Sequence, residues 1–516
     1  MFDFLKNIFK SDYDRRPDRS RVSMSETREI QRSAFQHRAK QILAKYDAAN
    51  DGNYLSRHWG NADALSADAA NSQKVRLKLI KRARYEFINN SYCMGMILTL
   101  ANDIIGRGPR LQMLTPDEGF NELFEADWNL WSRTINLAAQ LRTMIQAKKR
   151  DGEVFAEFIT NPRLLNSLPV SLDFAVYEAE QIQKPIYNTI KSPNGYRNLD
   201  GVVIDQSGNP VYYQILKSHP GANSTSAGIW DSTKFRKVDA ENMIHLFRVD
   251  RPGQHRGVPE ITPSLPLYAI LRNYTLAVLK AAEVGASYAM SLETDGPAND
   301  ADTDYDGESE GDGAAVTPET MDVFDLEHAM ATVMPAGWHL KGFKPEQPAT
   351  AYAEFKREVL REIARCLGVP FNVAAGDSSD YNYASGRLDH QTYFKSIDVE
   401  HQEIEIEGVE PTFQKFAQEW LMTKGVGTAL NELNHTWYWD GREHVDPAKE
   451  AAADAIRLKN GTLPYADYYA KQGKDWRNQL KQVSVEQQFI RDNGIVIEAP
   501  KDTIIEKELD DAGFEE

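Results

Sequence analysis

Two periods of apolar positions alternate along this chain, and the switches between them mark its elements. Residues 71–105 carry helical spacing. Residues 121–147 predict another helical stretch, with Trp128 and Trp131 three apart, on one face and placed for a core. At 152–159 the period falls to two, Val154, Ala156 and Phe158 alternating against Glu153, Phe155 and Glu157; this opens a strand region that 172–182 continues. Residues 202–205, a Gln-Ser-Gly-Asn-Pro turn at 206–210 and residues 211–216 predict a β-hairpin, and 243–249 one more strand. Residues 60–260 therefore read as one mixed α and β unit.

A long helix is predicted over 266–292. Leu267, Ile270, Leu271, Tyr274, Val278, Ala281, Gly285 and Tyr288 make its stripe, and Ala277, Ala281, Ala282, Gly285, Ala286 and Ala289 are small enough for close approach of a neighbour. If continuous it is roughly 40 Å long at 1.5 Å per residue. Composition then changes: 293–327 holds thirteen acids and no Lys or Arg, and 294–315 reads as a solvated loop. Short order is expected at 318–330 and a strand at 337–343. A second helix over 349–367 has Tyr352, Phe355, Val359, Ile363 and Leu367 on one side; Gly368 sits at its C-cap and Pro370 prevents continuation. Residues 388–421 are mostly helical with an interruption near Gly408 and Pro411, 435–439 is a brief aromatic strand or turn, and 496–516 is an acidic, mobile tail.

At 516 residues the chain predicts three or four domains at roughly 100–200 residues each. Its formal net charge of −17 argues against a broad basic grip on nucleic acid, though not against a protein that must let DNA slide past. Lys74, Arg76, Lys78, Lys81, Arg82 and Arg84 form the most basic patch, with two readings: a solvated helix face, or a DNA or partner contact. Cys93 and Cys366, far apart and outside any CxxC, predict two buried thiols in a reducing compartment. No apolar run reaches the roughly 18 residues that span a bilayer, since Asn102 and Asp103 break 94–105. The N-terminus lacks a signal-peptide pattern; Phe2, Leu5, Ile8 and Phe9 give it a short apolar face, as a docking arm or a frayed end.

A nucleotide motor needs GxxxxGK[ST], a zinc protease HExxH, a serine hydrolase GxSxG; none occurs. Asp302, Asp304, Asp306 and Gly307 open like an EF-hand loop, but Gly313 stands where a bidentate Glu is required. Asp151, Glu153, Glu157, Glu178 and Glu180 are the carboxylates that a Mg²⁺-dependent nuclease would use. Strand alternation instead puts Glu153 and Glu157 on a solvent or subunit face. The histidines show no ligand spacing, His435 and His444 included. No catalytic, cofactor-binding or metal residue is assigned, and no cofactor is expected.

The most informative segment lies between the second helix and the next: Arg365-Cys-Leu-Gly368-Val-Pro370, then Gly376-Asp-Ser-Ser-Asp-Tyr-Asn-Tyr-Ala-Ser-Gly-Arg387. It resembles the signature of the lambda-type portal proteins of tailed bacteriophages, with Ala384 where that family often has Ser. Three further segments resemble the family in the same order: Lys149-Arg-Asp-Gly-Glu-Val-Phe155, Glu178-Ala-Glu-Gln-Ile182, and His245-Leu-Phe-Arg-Val-Asp-Arg-Pro-Gly-Gln-His-Arg256-Gly-Val-Pro-Glu-Ile-Thr-Pro263.

The resemblance implies an α+β portal fold: an N-terminal arm (1–60), a mixed α/β wing (61–264), stem helices at 265–292 and 349–370, and a small clip insert between them (293–348) with its acidic loop at 295–313. A channel loop (371–387), a helical crown (388–495) and an acidic tail (496–516) follow. The loop at 295–313 is long for a clip. It also implies a homo-oligomeric ring, a dodecamer, at one vertex of the virion's capsid, assembled in the host cytoplasm. Double-stranded DNA would pass through the channel without sequence preference. The terminase large subunit, head-completion and tail connector proteins, major capsid protein and scaffold would be partners, and no membrane. Asp377, Ser378, Ser379, Asp380, Tyr381, Asn382 and Tyr383 would crowd an acidic channel, with Arg387 among its few basic contacts. Ala277, Ala281 and Gly285 would pack between subunits. The alternatives are a head–tail adaptor ring, the nuclease, and a monomeric scaffold.

Overall fold

In this computed structural model the described residues are 32, 58–184, 195–222, 235–287, 290–294, 338–342, 349–379, 381–441 and 447–495. Two units divide the chain, 1–66 and 67–516. In the first, a turn closes from Ala62 N to Trp59 O at 2.9 Å. The acidic loop 295–313, the expected order at 318–330, His444 and the tail lie outside the described residues, as does nearly all of the arm.

The second unit opens with α1 (Gln73–Asn89) and α2 (Ser91–Ile105). Asn90 ends one and starts the other: its N–H donates to Glu86 O, and its side chain accepts from Tyr92 N and Cys93 N at 3.1 and 3.3 Å. Strand β1 (Arg110–Met113) leads to α3 (Glu118–Thr134), capped by Asp117, and α4 (Leu137–Asp151). The helical stretch expected over 121–147 is two helices, because Asn136 turns the chain in the left-handed region at φ 53°.

Strand β2 (Glu153–Thr160) is the centre of an antiparallel sheet, with β3 (Leu172–Tyr177) on one side and β8 (Met243–Phe247) on the other. A second antiparallel sheet runs β4 (Arg197–Leu199), β5 (Val202–Ile204), β6 (Pro210–Leu216), β7 (Phe235–Asp239). The predicted hairpin is β5–β6, its turn held by Asp205, whose side chain accepts from Ser207 N and Asn209 N at 2.8 Å each.

Helix α5 (Leu265–Ser287) is 23 residues, about 34 Å. It stops short of the expected 292 because β9 (Met290–Thr294) pairs with β10 (Trp338–Gly342). Helix α6 (Ala349–Cys366) ends at Gly368, φ 67°, as its sequence predicts. A five-residue α7 (Phe371–Ala375) follows, then α8 (Tyr383–Ile404), a π turn (Glu405–Val409) and α9 (Glu410–Lys424). The interruption expected near Gly408 is that π turn, and Pro411 follows it directly at the start of α9. Strand β11 (His435–Tyr438) pairs with β1; α10 (Pro447–Lys459), α11 (Tyr465–Lys471) and α12 (Trp476–Asp492) close the described chain.

One main core joins these parts. Phe124, Trp128 and Trp131 of α3 meet Phe413, Phe416 and Trp420 of α9, all buried. At 150–250 Å² and about 25 cal/mol per Å², each ring contributes roughly 4–6 kcal/mol of gross burial energy. Both indoles in contact with polar groups are satisfied: Trp131 donates to Leu172 O and Trp420 to Asp127, each at 2.8 Å. The body and helices α8 and α9 therefore share an interior. A smaller core of Ile182, Val202, Ile204, Tyr213, Ile215 and Val238 lies under the second sheet, with Phe155 of β2 reaching into it.

Candidate functional site

The segment 371–387 is less of a loop than its composition predicts. Residues 371–375 are α7, and 383–387 are the first turn of α8. What remains between helices is 376–382. Gly376 ends α7 at φ 66°, and Asn382 starts α8 through a reciprocal cap with Ser385, whose N–H donates to Asn382 Oδ1 at 2.8 Å. Between them Asp377 Oδ1 accepts Ser379 N at 2.9 Å, and Tyr381 N donates to Ser378 O at 3.1 Å. The segment is wound on itself rather than extended.

Ser378, Ser379, Asn382 and Arg387 are exposed; Asp380 and the Tyr383 side chain lie outside the described residues. Tyr381 is different. It is half-buried and lines a cleft of about 380 Å³ with Arg361, Ala364, Phe371, Ser385 and Asp389. Burial pushes its phenol above the ordinary value, and the Asp389 carboxylate nearby adds to that. Arg361 stacks over Phe371 at 5.2 Å. Arg361 and Asp389 were not singled out from sequence; their helical spacing relative to the loop was the available signal.

Helices α5 and α6 pack on one another. Tyr274 meets Phe355 at 4.8 Å and Tyr352 at 5.7 Å between ring centroids, and Thr275 and Tyr352 share a hydroxyl contact of 3.1 Å. Tyr268 and Leu271 anchor the start of α5 in the main core. Its other face is bare: Ile270, Leu276 and Leu279 are 53%, 48% and 60% exposed, and Ala277 and Ala281 are exposed beside them. Gly285 lies in the last turns of the same helix.

The five carboxylates are not an open metal site, and alternation misjudged two of them. Glu153 and Glu157 are buried, because β2 is covered on that side by 251–257 and the second sheet rather than by solvent. Glu153 accepts from Arg256 (Nη2 at 2.6 Å, Nε at 2.9 and 3.0 Å), from Gly257 N at 2.9 Å and from His245 Nε2 at 3.1 Å, with Arg76 Nε 3.5 Å away. Complete burial alone would raise its pKa; Arg256, the His245 bond and Arg76 outweigh that and hold it far below the usual carboxylate range. Burial lowers His245 in turn.

Glu157 pairs with Arg236 and accepts Tyr177 OH at 3.0 Å. Asp151 and Glu180 share Arg84, at 3.0 and 2.8 Å, and Glu178 lies 3.4 Å from the same guanidinium. His219 joins Glu178 and Glu180 within 4.8 Å. Its Nδ1, however, accepts Gly221 N at 3.0 Å, which puts the proton on Nε2, the atom facing Glu178. A protonated nitrogen and carboxylates already bound to Arg84 fit a divalent ion poorly, so the nuclease chemistry has no open ligand set.

The basic helix face is correspondingly smaller than predicted. Arg76 is buried on Asp200 at 3.1 Å, and Arg84 is half-buried; Lys74, Lys78, Lys81 and Arg82 are exposed. Of the two cysteines Cys93 is buried and Cys366 only partly so. Gly152 and Gly257 explain why two distant motif segments go together: a Cβ on Gly257 would lie 2.1 Å from Gly152 O, so the backbones meet only as glycines.

No helix among the described residues is long and apolar enough to cross a membrane. The chain is 25% identical over 461 residues, 83% of its length and 84% of the relative's, to a probable portal protein of Halomonas phage phiHAP-1. Among solved structures it is similar to a chain of the virion of a native gene transfer agent particle (14% identity, TM-score 0.41, 79% of this chain and 97% of that one). It is also similar to a chain of the neck of that particle computed with C12 symmetry (12%, TM-score 0.39, 78% and 94%). The family described as phage portal protein, lambda family, matches residues 55–400, four segments of which carry the motifs and glycine contacts above, and the chain belongs to that family.

Proposed function

We propose that this chain assembles into a ring, of twelve copies, at one vertex of a phage capsid, and that double-stranded DNA is packaged and ejected through its axial channel. As a portal protein it is a structural conduit rather than an enzyme. The observation that carries the ring is the bare face of α5. A helix rooted in the core by Tyr268 and Leu271 exposes Ile270, Leu276 and Leu279 along a line of small residues, as expected of a surface covered by a neighbouring copy. Helices α5 and α6 are the stem pair, and Ala277, Ala281 and Gly285 pack between subunits.

The loop 376–382 faces the channel. With a net charge of −17 the wall repels phosphates toward the axis and keeps few salt-dependent contacts that would brake the duplex, Arg387 being one of the few. Residues 293–348 are the clip, which docks the terminase large subunit during packaging and head-completion or tail connector proteins afterwards. The capsid and scaffold proteins contact the rim, and the finished protein resides in the virion. Negative-stain electron microscopy of the purified chain tests this: rings with a channel wide enough for duplex DNA are expected, and a homogeneous monomer at every salt concentration refutes the ring.

A further inference from the structure

Helix α12 (Trp476–Asp492) is tied to the body only at its start. Its N-cap Asp475 accepts Arg477 N at 2.9 Å and the amide of Gln112 in β1, and Lys481 reaches Glu122 of α3 at 2.9 Å. From 481 to 489 every residue is exposed, although the stretch is not polar: Val483, Val485 and Phe489 are 36%, 63% and 61% exposed. A helix lying on a body carries one apolar stripe; this one carries two. At about 100° per residue, Trp476, Leu480, Val483 and Ile490 share one side, while Val485 and Phe489 lie about 160° away. The narrower sector between the two sides holds Gln479, Gln482 and Glu486, and the wider one holds Arg477, Lys481 and Arg491. Because Lys481 is bound to Glu122, the wider sector faces the body.

We propose that the two stripes are the two lateral contacts of α12 with copies of itself, so that these helices stand side by side as a barrel about the ring axis. The inference rests on the ring reading above and adds a contact to it, on a helix beyond residue 400, where the family match ends. A cyclic contact is heterologous: one surface of each copy meets a different surface of the next. In a ring of twelve, the two sides of a standing helix that meet its neighbours are about 150° apart, measured across the lumen. The sector of about 160° on α12 is the one turned away from the body, as that geometry requires. Rotation about the axis preserves height, so residues of nearly equal number meet. This sets Arg491, flanking the first stripe, against Asp492 of the neighbouring copy, flanking the second. Their charges are opposite, and neither has an ion-pair partner among the described residues. Gln479, Gln482 and Glu486 would line the lumen, giving a wall without cations.

Cysteine cross-linking of the purified full-length chain tests the barrel. In a Cys366→Ser background, which removes the partly exposed native thiol, Arg491→Cys together with Asp492→Cys is expected to give, on mild oxidation, a ladder of linked species climbing to the full ring on a denaturing gel. Either cysteine alone is expected to give none, because its counterpart lies on the other side of the helix. Adding Val485→Lys and Phe489→Lys to the double-cysteine chain is expected to abolish the ladder without moving the melting curve, since both side chains are exposed in one chain. Electron microscopy of the same samples separates the two readings. Rings that give no ladder overturn the barrel and leave the ring standing; a homogeneous monomer overturns both. A linked dimer from either single cysteine, the mark of a two-fold rather than a cyclic contact, also overturns the barrel.

Discussion

Replacing Glu153 by Gln removes one negative charge from the most enclosed ionic group among the described residues. Glu153 is fully buried, and it is the shared acceptor for Arg256, itself 3% exposed, and for His245, Gly257 N and the edge of Arg76. Arg76 keeps Asp200, but Arg256 keeps only the carbonyls of Ala179, Ile182 and Asp200. Removing one partner of such a pair leaves an uncompensated buried charge, which costs about 3–5 kcal/mol. The damage should fall where Arg256 ties β2 to 179–200, the join between the two sheets. Urea unfolding followed by tryptophan fluorescence measures it, and a loss below about 1 kcal/mol would refute the reasoning.

The pH dependence gives a second reading of the same group. A carboxylate whose folded pKa is depressed contributes stability that is present above its unfolded value, about 4.3, and lost as pH falls below it toward the folded one. The wild-type chain should therefore lose stability steeply between about pH 4.5 and 2, and Glu153→Gln should flatten that slope. An identical slope in both proteins would mean that Glu153 is not ionised in the folded state.

Ala281→Trp should reduce ring formation while leaving the monomer's melting curve unchanged, because Ala281 is exposed in one chain; unchanged assembly by light scattering contradicts the subunit contact. Deleting 377–383 should leave rings intact and impair packaging or retention of DNA, and normal DNA content in particles contradicts a channel role for the loop. Burial pushes the Cys93 thiol up to about 12, so at pH 8 a thiol reagent should leave it unlabelled in the folded chain; rapid labelling there would show that α2 opens. Burial lowers His435, but its 2.9 Å bond to Glu410 outweighs that and raises its pKa. Its stabilising share is thus complete below the unfolded value of about 6.5 and fades as pH rises through the folded one; a titration of its ring protons below that value contradicts the bond.

Periodicity located nearly every long element, because a helix or strand that buries one face must write that face at 3.6 or 2 residues. Trp128 and Trp131 as core, the β5–β6 hairpin and the end of α6 at Gly368 were legible for that reason, each being a local rule obeyed locally. The motif segments were legible as a set, and so was the loop's position between two helices. Tyr381 was legible as a loop residue and not as the wall of a cleft, since Phe371 is ten residues upstream and Asp389 eight downstream.

What the sequence by itself determined is the order of elements, the family, and the absence of the common catalytic motifs. Only the tertiary structure decided what the charges do. Alternation along β2 is a one-dimensional rule that assumes one wet face, and it sent Glu153 and Glu157 outward. The fold covers that face with Arg256, Arg236 and a second sheet, whose residues lie 79 to 104 positions away in the chain. A buried carboxylate is stable only where guanidinium groups and N–H donors converge on it in three dimensions. That convergence turned a candidate metal cluster into the bolts between two sheets, and no spacing along the chain encodes it.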